Sequence, residues 1–124
     1  MILFRPEHVA PILAGHKTQT RRLGKRRWRV GAVHGCYTRP PYAKGGAEPF
    51  GWVLILDVRR ERLCDISVAD VVAEGYANTF GFFKAFCRIS KRLAADCRRN
   101  CLGCELANPE VWVVEFELVE AGDQ

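Results

Sequence analysis

No run of apolar residues in this chain is long enough to span a bilayer. Nor does the N-terminus carry a charged start, an apolar stretch and a small-residue cleavage site in succession. A helical membrane span and a secretory leader are therefore not expected, and a cytoplasmic protein with no membrane partner is. No internal repeat divides the chain, and 124 residues are too few for two domains of ordinary size. At 48% hydrophobic residues it has enough apolar material for one core, so residues 1–124 are expected to form a single domain. In a reducing compartment the six cysteines are expected as free thiols or metal ligands, not as a disulfide framework.

What the chain does have is local positive charge. The net charge is +5, and six basic residues (Arg21, Arg22, Lys25, Arg26, Arg27 and Arg29) fall within nine positions. Such a cluster makes either a solvated loop or a surface suited to phosphates. Trp28 lies inside it, where an aromatic ring either stacks on a base beside the cations or anchors the start of a strand in the core.

Just before the cluster stands Gly15-His16-Lys17-Thr18-Gln19-Thr20-Arg21-Arg22, after a short apolar segment that reads as a helix closed by glycine. If the stretch is extended, Thr18, Thr20 and Arg22 share one face and Lys17, Gln19 and Arg21 the other. Lys17 can then approach Thr20 only if the strand starts late and Lys17 still belongs to the turn.

The remaining elements follow from pattern. Ile2 to Phe4 reads as a short strand, and Pro6 opens a helical segment with Val9, Ile12 and Leu13 as its stripe, made short or irregular by Pro11. His8 and His16, isolated near turns, read as surface residues. Val33 to Thr38 is a strand, Arg39 to Phe50 a loop punctuated by proline and glycine, and Gly51 to Leu63 the longest strand, covered on both faces and central. Ser67 opens a helix with Asp70 as its capping partner and Gly75 as its stop. That leaves Glu74 in the last turn, where the helix dipole disfavours a carboxylate by a few tenths to about 1 kcal/mol. Thr79 to about Ala95 reads as an amphipathic helix with Phe80, Phe83, Phe86 or Cys87, Ile89 and Leu93 inward, and Val111 to Val119 as the closing strand.

Gly15, Lys17 and Arg22 fall on the fixed positions of Gly-x-Lys-x-x-Glu-x-Arg, and the chain thereby resembles the ASCH domains, small proteins related to the RNA-binding PUA domains. The resemblance extends to Trp28–Gly31, to the Asp-x-x-x-Glu-Gly-Tyr stretch from Asp70 to Tyr76, and to the closing strand. It implies an α+β fold, a PUA-like mixed β-barrel with flanking helices. Thr20 replaces the usual glutamate, as in a few ASCH proteins similar to small amidohydrolases that remove acyl groups from the exocyclic amine of cytidine. In those the lysine, the threonine and a later glutamate are held to be catalytic, which implies Lys17, Thr20 and Glu74 here. The substrate implied is a small acylated cytidine such as N(4)-acetylcytidine, with Arg21, Arg22, Trp28 and Tyr76 as candidates to hold it. The alternative is a module that binds RNA, or cleaves it, through the basic cleft.

Acyl transfer needs a nucleophile, a base for its proton and an acid for the leaving nitrogen, roles that Thr20, Lys17 and Glu74 fill in that order. Lysine becomes a base only if its pKa falls well below the ordinary ~10.4, and burial and nearby cations both lower it. No cofactor is required for that chemistry. Separately, Cys97, Cys101 and Cys104 are spaced to converge on one metal, a structural zinc ahead of an iron–sulfur cluster. Radical enzymes share this spacing but need a much larger barrel.

Overall fold

Two long apolar runs pair with each other and form the middle of the sheet. In the computed structural model, which describes residues 1–89 and 108–120, β4 (Gly51–Arg62) and β5 (Glu110–Val119) run antiparallel along nearly their whole lengths. Around them lie β1 (Ile2–Leu3), β2 (Gln19–Arg22) and β3 (Val33–Tyr37), in the order β1-β3-β4-β5-β2. β1 is parallel to β3 and every other pairing is antiparallel, so the sheet is mixed. It curls into a half-barrel of the PUA-like α+β kind, as expected.

Both faces of β5 are covered where it passes the barrel's waist. The consecutive residues Val113 and Val114 are fully buried and belong to different clusters. One cluster joins Val113 to Leu63, Val71, Phe82 and Phe86, and the other joins Val114 to Ile2, Phe4, Ile12 and Val53. Burying each large apolar side chain in these clusters contributes roughly 1.5–3 kcal/mol. The helices that cover the sheet are short: α1 (Val9–Leu13) after a 3-10 turn at Pro6–His8, α2 (Val68–Ala73) and α3 (Thr79–Ile89). Pro11 sits inside α1, and its carbonyl takes the backbone N–H of both His16 and Lys17, which ends the helix.

Two expectations need adjusting. β4 is central but not covered on both faces: Val53 and Ile55 are buried, whereas Trp52 and Leu54 are half-buried and Leu56 is 45% exposed. A bulge between Ile55 and Asp57 resets the alternation there, which a continuous apolar run conceals. Phe80 is 63% exposed, because Phe82 and Phe86, four apart, set the inward face of α3 and a residue two before Phe82 points away from it. The part of that helix expected beyond Ile89, and the cysteines Cys97, Cys101 and Cys104, lie outside the described residues.

Candidate active site

The outer strands β1 and β2 stand at opposite ends of the sheet order, yet a side chain joins them. Arg22 on β2 donates from Nη2 to the Leu3 carbonyl of β1 at 2.6 Å and from Nε to the Thr20 hydroxyl at 3.0 Å. Its guanidinium carbon also lies 5.2 Å from the centroid of the Phe4 ring and 5.8 Å from that of Trp28. Arg22 thus clasps the seam of the half-barrel, and beside that seam opens a cavity of about 330 Å³.

Lys17 reaches the cavity because β2 starts late. Gly15 takes a φ of +78°, and Lys17 and Thr18 run through the following turn before pairing begins at Gln19. That turn docks on the end of α2, with Thr18 N–H donating to the Ala73 carbonyl at 2.7 Å. The helix itself is cut at both ends by local chemistry. Ser67 accepts the Asp70 N–H at 3.0 Å, and Gly75 turns the chain at φ +99°. A Cβ on Gly75 would sit 3.4 Å from the Cβ of Lys17, so glycine there serves both the turn and the approach of the lysine stem.

Lys17 is 2% exposed and Glu74 4% exposed. The Lys17 ammonium donates to the Glu74 carbonyl at 2.7 Å, the Gln19 carbonyl at 3.0 Å and Glu74 Oε1 at 3.2 Å. All three of its protons are therefore engaged. The last-turn carboxylate that the helix dipole disfavours is held by this cation and by Arg21, whose Nη1 donates to Glu74 Oε2 at 3.0 Å. Burial pulls the Lys17 pKa below its ordinary value; Glu74 opposes the shift, while Arg22 and Arg21 reinforce it.

Thr20 lines the same cavity and is 5% exposed. Its oxygen accepts from Arg22 Nε, so the hydroxyl proton is directed elsewhere, and a cationic donor on that oxygen favours an alkoxide as it forms. No hydrogen bond links Lys17 directly to Thr20 among the described residues. The cavity wall brings the two together, and Glu74 with them.

The four residues expected to hold a substrate are placed differently from one another. Arg22 and Tyr76 line the cavity. Arg21 contributes to its wall, but both of its terminal nitrogens are committed on the other side of β2. Nη1 also binds Gln19 Oε1 at 2.9 Å, and Nη2 binds Glu61 at 2.8 Å and Asp70 at 3.1 Å. Its Nε is buried without a partner. Trp28 is buried in the core at 7% exposure, behind Arg22 and outside this cavity wall.

Sequence reasoning gave His8 no role, yet it lines the cavity. Its Nε2 lies 2.9 Å from the Tyr76 hydroxyl, and the two rings meet edge to face at 5.8 Å. Burial, with the Lys17 charge second, pushes its pKa down to about 4, so the ring is neutral at pH 7. The signal available was spacing: His8 lies four residues before the fully buried Ile12, on the inward side of the turn. The rest of the lining is mostly apolar, from Leu3, Phe4, Leu23, Phe82 and Phe86 with Arg5 and Thr38 among them, and the phenylalanine rings suit an aromatic guest. Among the described residues no group of three or more histidine, cysteine or acidic side chains is arranged to hold a metal ion. Nor is any described helix long and apolar enough to cross a membrane.

No family model matches the sequence, and no curated protein matches it. The fold does match solved structures. A DUF984 protein of Enterococcus faecalis aligns with a TM-score of 0.62 at 14% identity, over 91% of this chain and 70% of its own. The ASCH domain from Lactobacillus crispatus aligns with a TM-score of 0.58 at 16% identity, over 89% of this chain and 69% of its own. A point mutant of the ASCH protein of Zymomonas mobilis aligns at 0.56 and 9% identity, over 98% of this chain and 74% of its own. The chain has the fold of the ASCH domains, a PUA-like half-barrel, with Lys17, Thr20 and Glu74 gathered on the cavity beside its seam.

Proposed function

We propose that this chain is an ASCH amidohydrolase that removes an acyl group from the exocyclic amine of an N(4)-acylated cytosine. The observation that carries the reading is a fully buried lysine, ion-paired at 3.2 Å to a buried glutamate, opening on the same cavity as a threonine hydroxyl. A buried charge pair at the wrong end of a helix is an expensive way to make structure, and active sites are where such pairs concentrate.

Lys17 passes one proton to Glu74, leaving a neutral amine and a carboxylic acid. The amine takes the Thr20 proton as Oγ1 attacks the acyl carbon, with Arg22 steadying the charge on the oxygen. The tetrahedral intermediate collapses, the C–N bond breaks, and Glu74 protonates the departing amine. Water then attacks the acyl-threonine with a proton lost to the Glu74 carboxylate. The bond from the acyl carbon to Oγ1 breaks as the Lys17 ammonium gives that oxygen a proton, the acid leaves, and Glu74 passes its proton back to the Lys17 amine. Phe4, Tyr76, Phe82 and Phe86 flank the base, and His8 and Tyr76 supply neutral hydrogen bonds at its edge.

The test is release of cytidine from N(4)-acetylcytidine by the wild type and by Lys17→Ala, Thr20→Ala and Glu74→Ala, with folding checked by circular dichroism. Turnover by the wild type that drops by roughly 10³-fold or more in each folded variant supports the reading. A folded wild type inert towards several acylated cytidines ends it.

A second reading, an RNA-binding module, is favoured by a shallow cleft lined by Arg26, Arg27, Trp28 and Arg29. Under it, Arg26→Ala and Arg27→Ala weaken RNA affinity and flatten its salt dependence, while Thr20→Ala does little. The Cys97, Cys101 and Cys104 cluster is proposed as a structural zinc site, checked by metal analysis of the wild type beside Cys101→Ser.

A further inference from the structure

A second cleft, of about 390 Å³, adjoins the catalytic cavity and shares Leu3, Arg22 and Leu23 with it. Arg27, Trp28 and His34 complete its polar and aromatic lining, and no carboxylate is among the residues that line it. Arg22 therefore forms the partition between the cavity that contains Lys17, Thr20 and Glu74 and a cleft whose charged side chains are both arginines.

The hydrogen bonds of Arg22 leave one end of its fork unused. Nε is taken by Thr20 and Nη2 by Leu3, and Nη1 has no hydrogen-bond partner among the described residues. It is not sealed off either, because Arg21 Nε is the one buried side-chain polar atom found without a partner among those residues. Arg27 is exposed and close enough for its charge to act on Arg22, against the opposing pull of Glu74. Two guanidinium groups face one cleft that no acid lines, and an anion between them relieves their repulsion. A phosphate matches both the charge and the fork geometry of arginine.

We propose that this cleft is the subsite for a phosphate on the sugar of the substrate. If the cavity holds the acylated cytosine of the reading above, on which this rests, the preferred substrate is a nucleotide and not the free nucleoside. The base sits on the Thr20 side of Arg22 and the phosphate on its Arg27 side. The phosphate can be a monoester or a link in a chain, since both present unesterified oxygens to the arginines.

The experiment is titration calorimetry with unreactive ligands: cytidine, cytidine 5′-monophosphate and the dinucleotide of two cytidines, against the wild type and Arg27→Gln. Arg27 is exposed, so this variant is expected to fold. The proposal predicts that one or both phosphorylated ligands bind the wild type roughly tenfold or more tightly than cytidine, as charge-assisted hydrogen bonds would give. That excess falls with added salt and disappears in Arg27→Gln, while cytidine affinity stays the same. A monophosphate excess alone identifies a nucleotide monoester, and a dinucleotide excess identifies a nucleic acid chain. Equal affinities in the wild type, or an excess that survives Arg27→Gln, overturn the proposal. Because the titration involves no bond breaking, its outcome is independent of whether the chain hydrolyses acylated cytidines.

Discussion

Arg21 and Arg22 are neighbours in sequence, and β2 turns them to opposite sides. Arg21 is enclosed by Glu61, Asp70 and Glu74 and has no exposed side-chain surface. Around that knot Gln19 donates to Asp70 and Glu115, and Arg59 ties Asp70 and Glu115 together again at 3.1 and 2.6 Å. Arg22 has instead a hydroxyl, a carbonyl and two aromatic faces, and lines two cavities. Charge matched to charge makes a support; charge left partly unmatched beside open space is available to a ligand. One face of a four-residue strand holds Glu74 in place, and the other presents Thr20 to the cavity.

Removing the support should have the larger effect on stability. Arg21→Met leaves Glu61 and Glu74 each short of a buried partner, and urea denaturation should show a loss of about 3–5 kcal/mol. Arg22→Met, which removes two charge-assisted hydrogen bonds from the seam, should lose less, roughly 1–3 kcal/mol, while turnover of an acylated cytidine falls steeply. If Arg21→Met were as stable as the wild type, the assignment of that face to support would be wrong.

The cavity side has a pH signature of its own. The His8 pKa lies near 4 in the folded chain, below the ordinary 6.5, so between those values the unfolded chain binds more protons. Its contribution to stability is complete above pH 6.5 and is lost as pH falls towards 4. The stability difference between wild type and His8→Gln should therefore shrink across that window in acid. A difference independent of pH would mean that the neutral ring at the cavity is not what is being held.

The smallest effect should come from Arg60, which pairs with Glu110 at 2.8 Å and lies 4.7 Å from the Trp112 ring centroid, both side chains of the ion pair about half exposed. Arg60→Ala should cost less than about 1 kcal/mol, and less still at high salt. It calibrates what an arginine pair is worth when water competes for it.

How much of this could be read beforehand divides along the same line. Features set by neighbours in sequence were legible: the turn at Gly15 on which a late start of β2 depends, the alternation that parts Thr20 and Arg22 from Gln19 and Arg21, and the Ser67–Asp70–Gly75 frame that delivers Glu74. The support network was not, because its partners come from distant segments. Arg21 meets Glu61 and Asp70 forty and forty-nine residues on, and Gln19 meets Glu115 ninety-six residues on, distances over which charge leaves no periodic trace. His8 escaped for the same reason, since its partner Tyr76 is sixty-eight residues away and the helical run is too short to show a clear face. The bulge at Ile55 and Asp57 was hidden because a run of apolar residues looks the same whether or not its alternation is reset.

Transfer of the acyl group to Thr20 can be caught by mixing the protein with an N(4)-acylcytidine, quenching in acid within the first turnover, and mapping the digest by mass spectrometry. One acyl group is expected on the peptide containing Thr20 of the wild type, and none in Thr20→Ala. Cytidine released by the wild type with no acyl group ever found on Thr20 would contradict it, and would assign the attack to water.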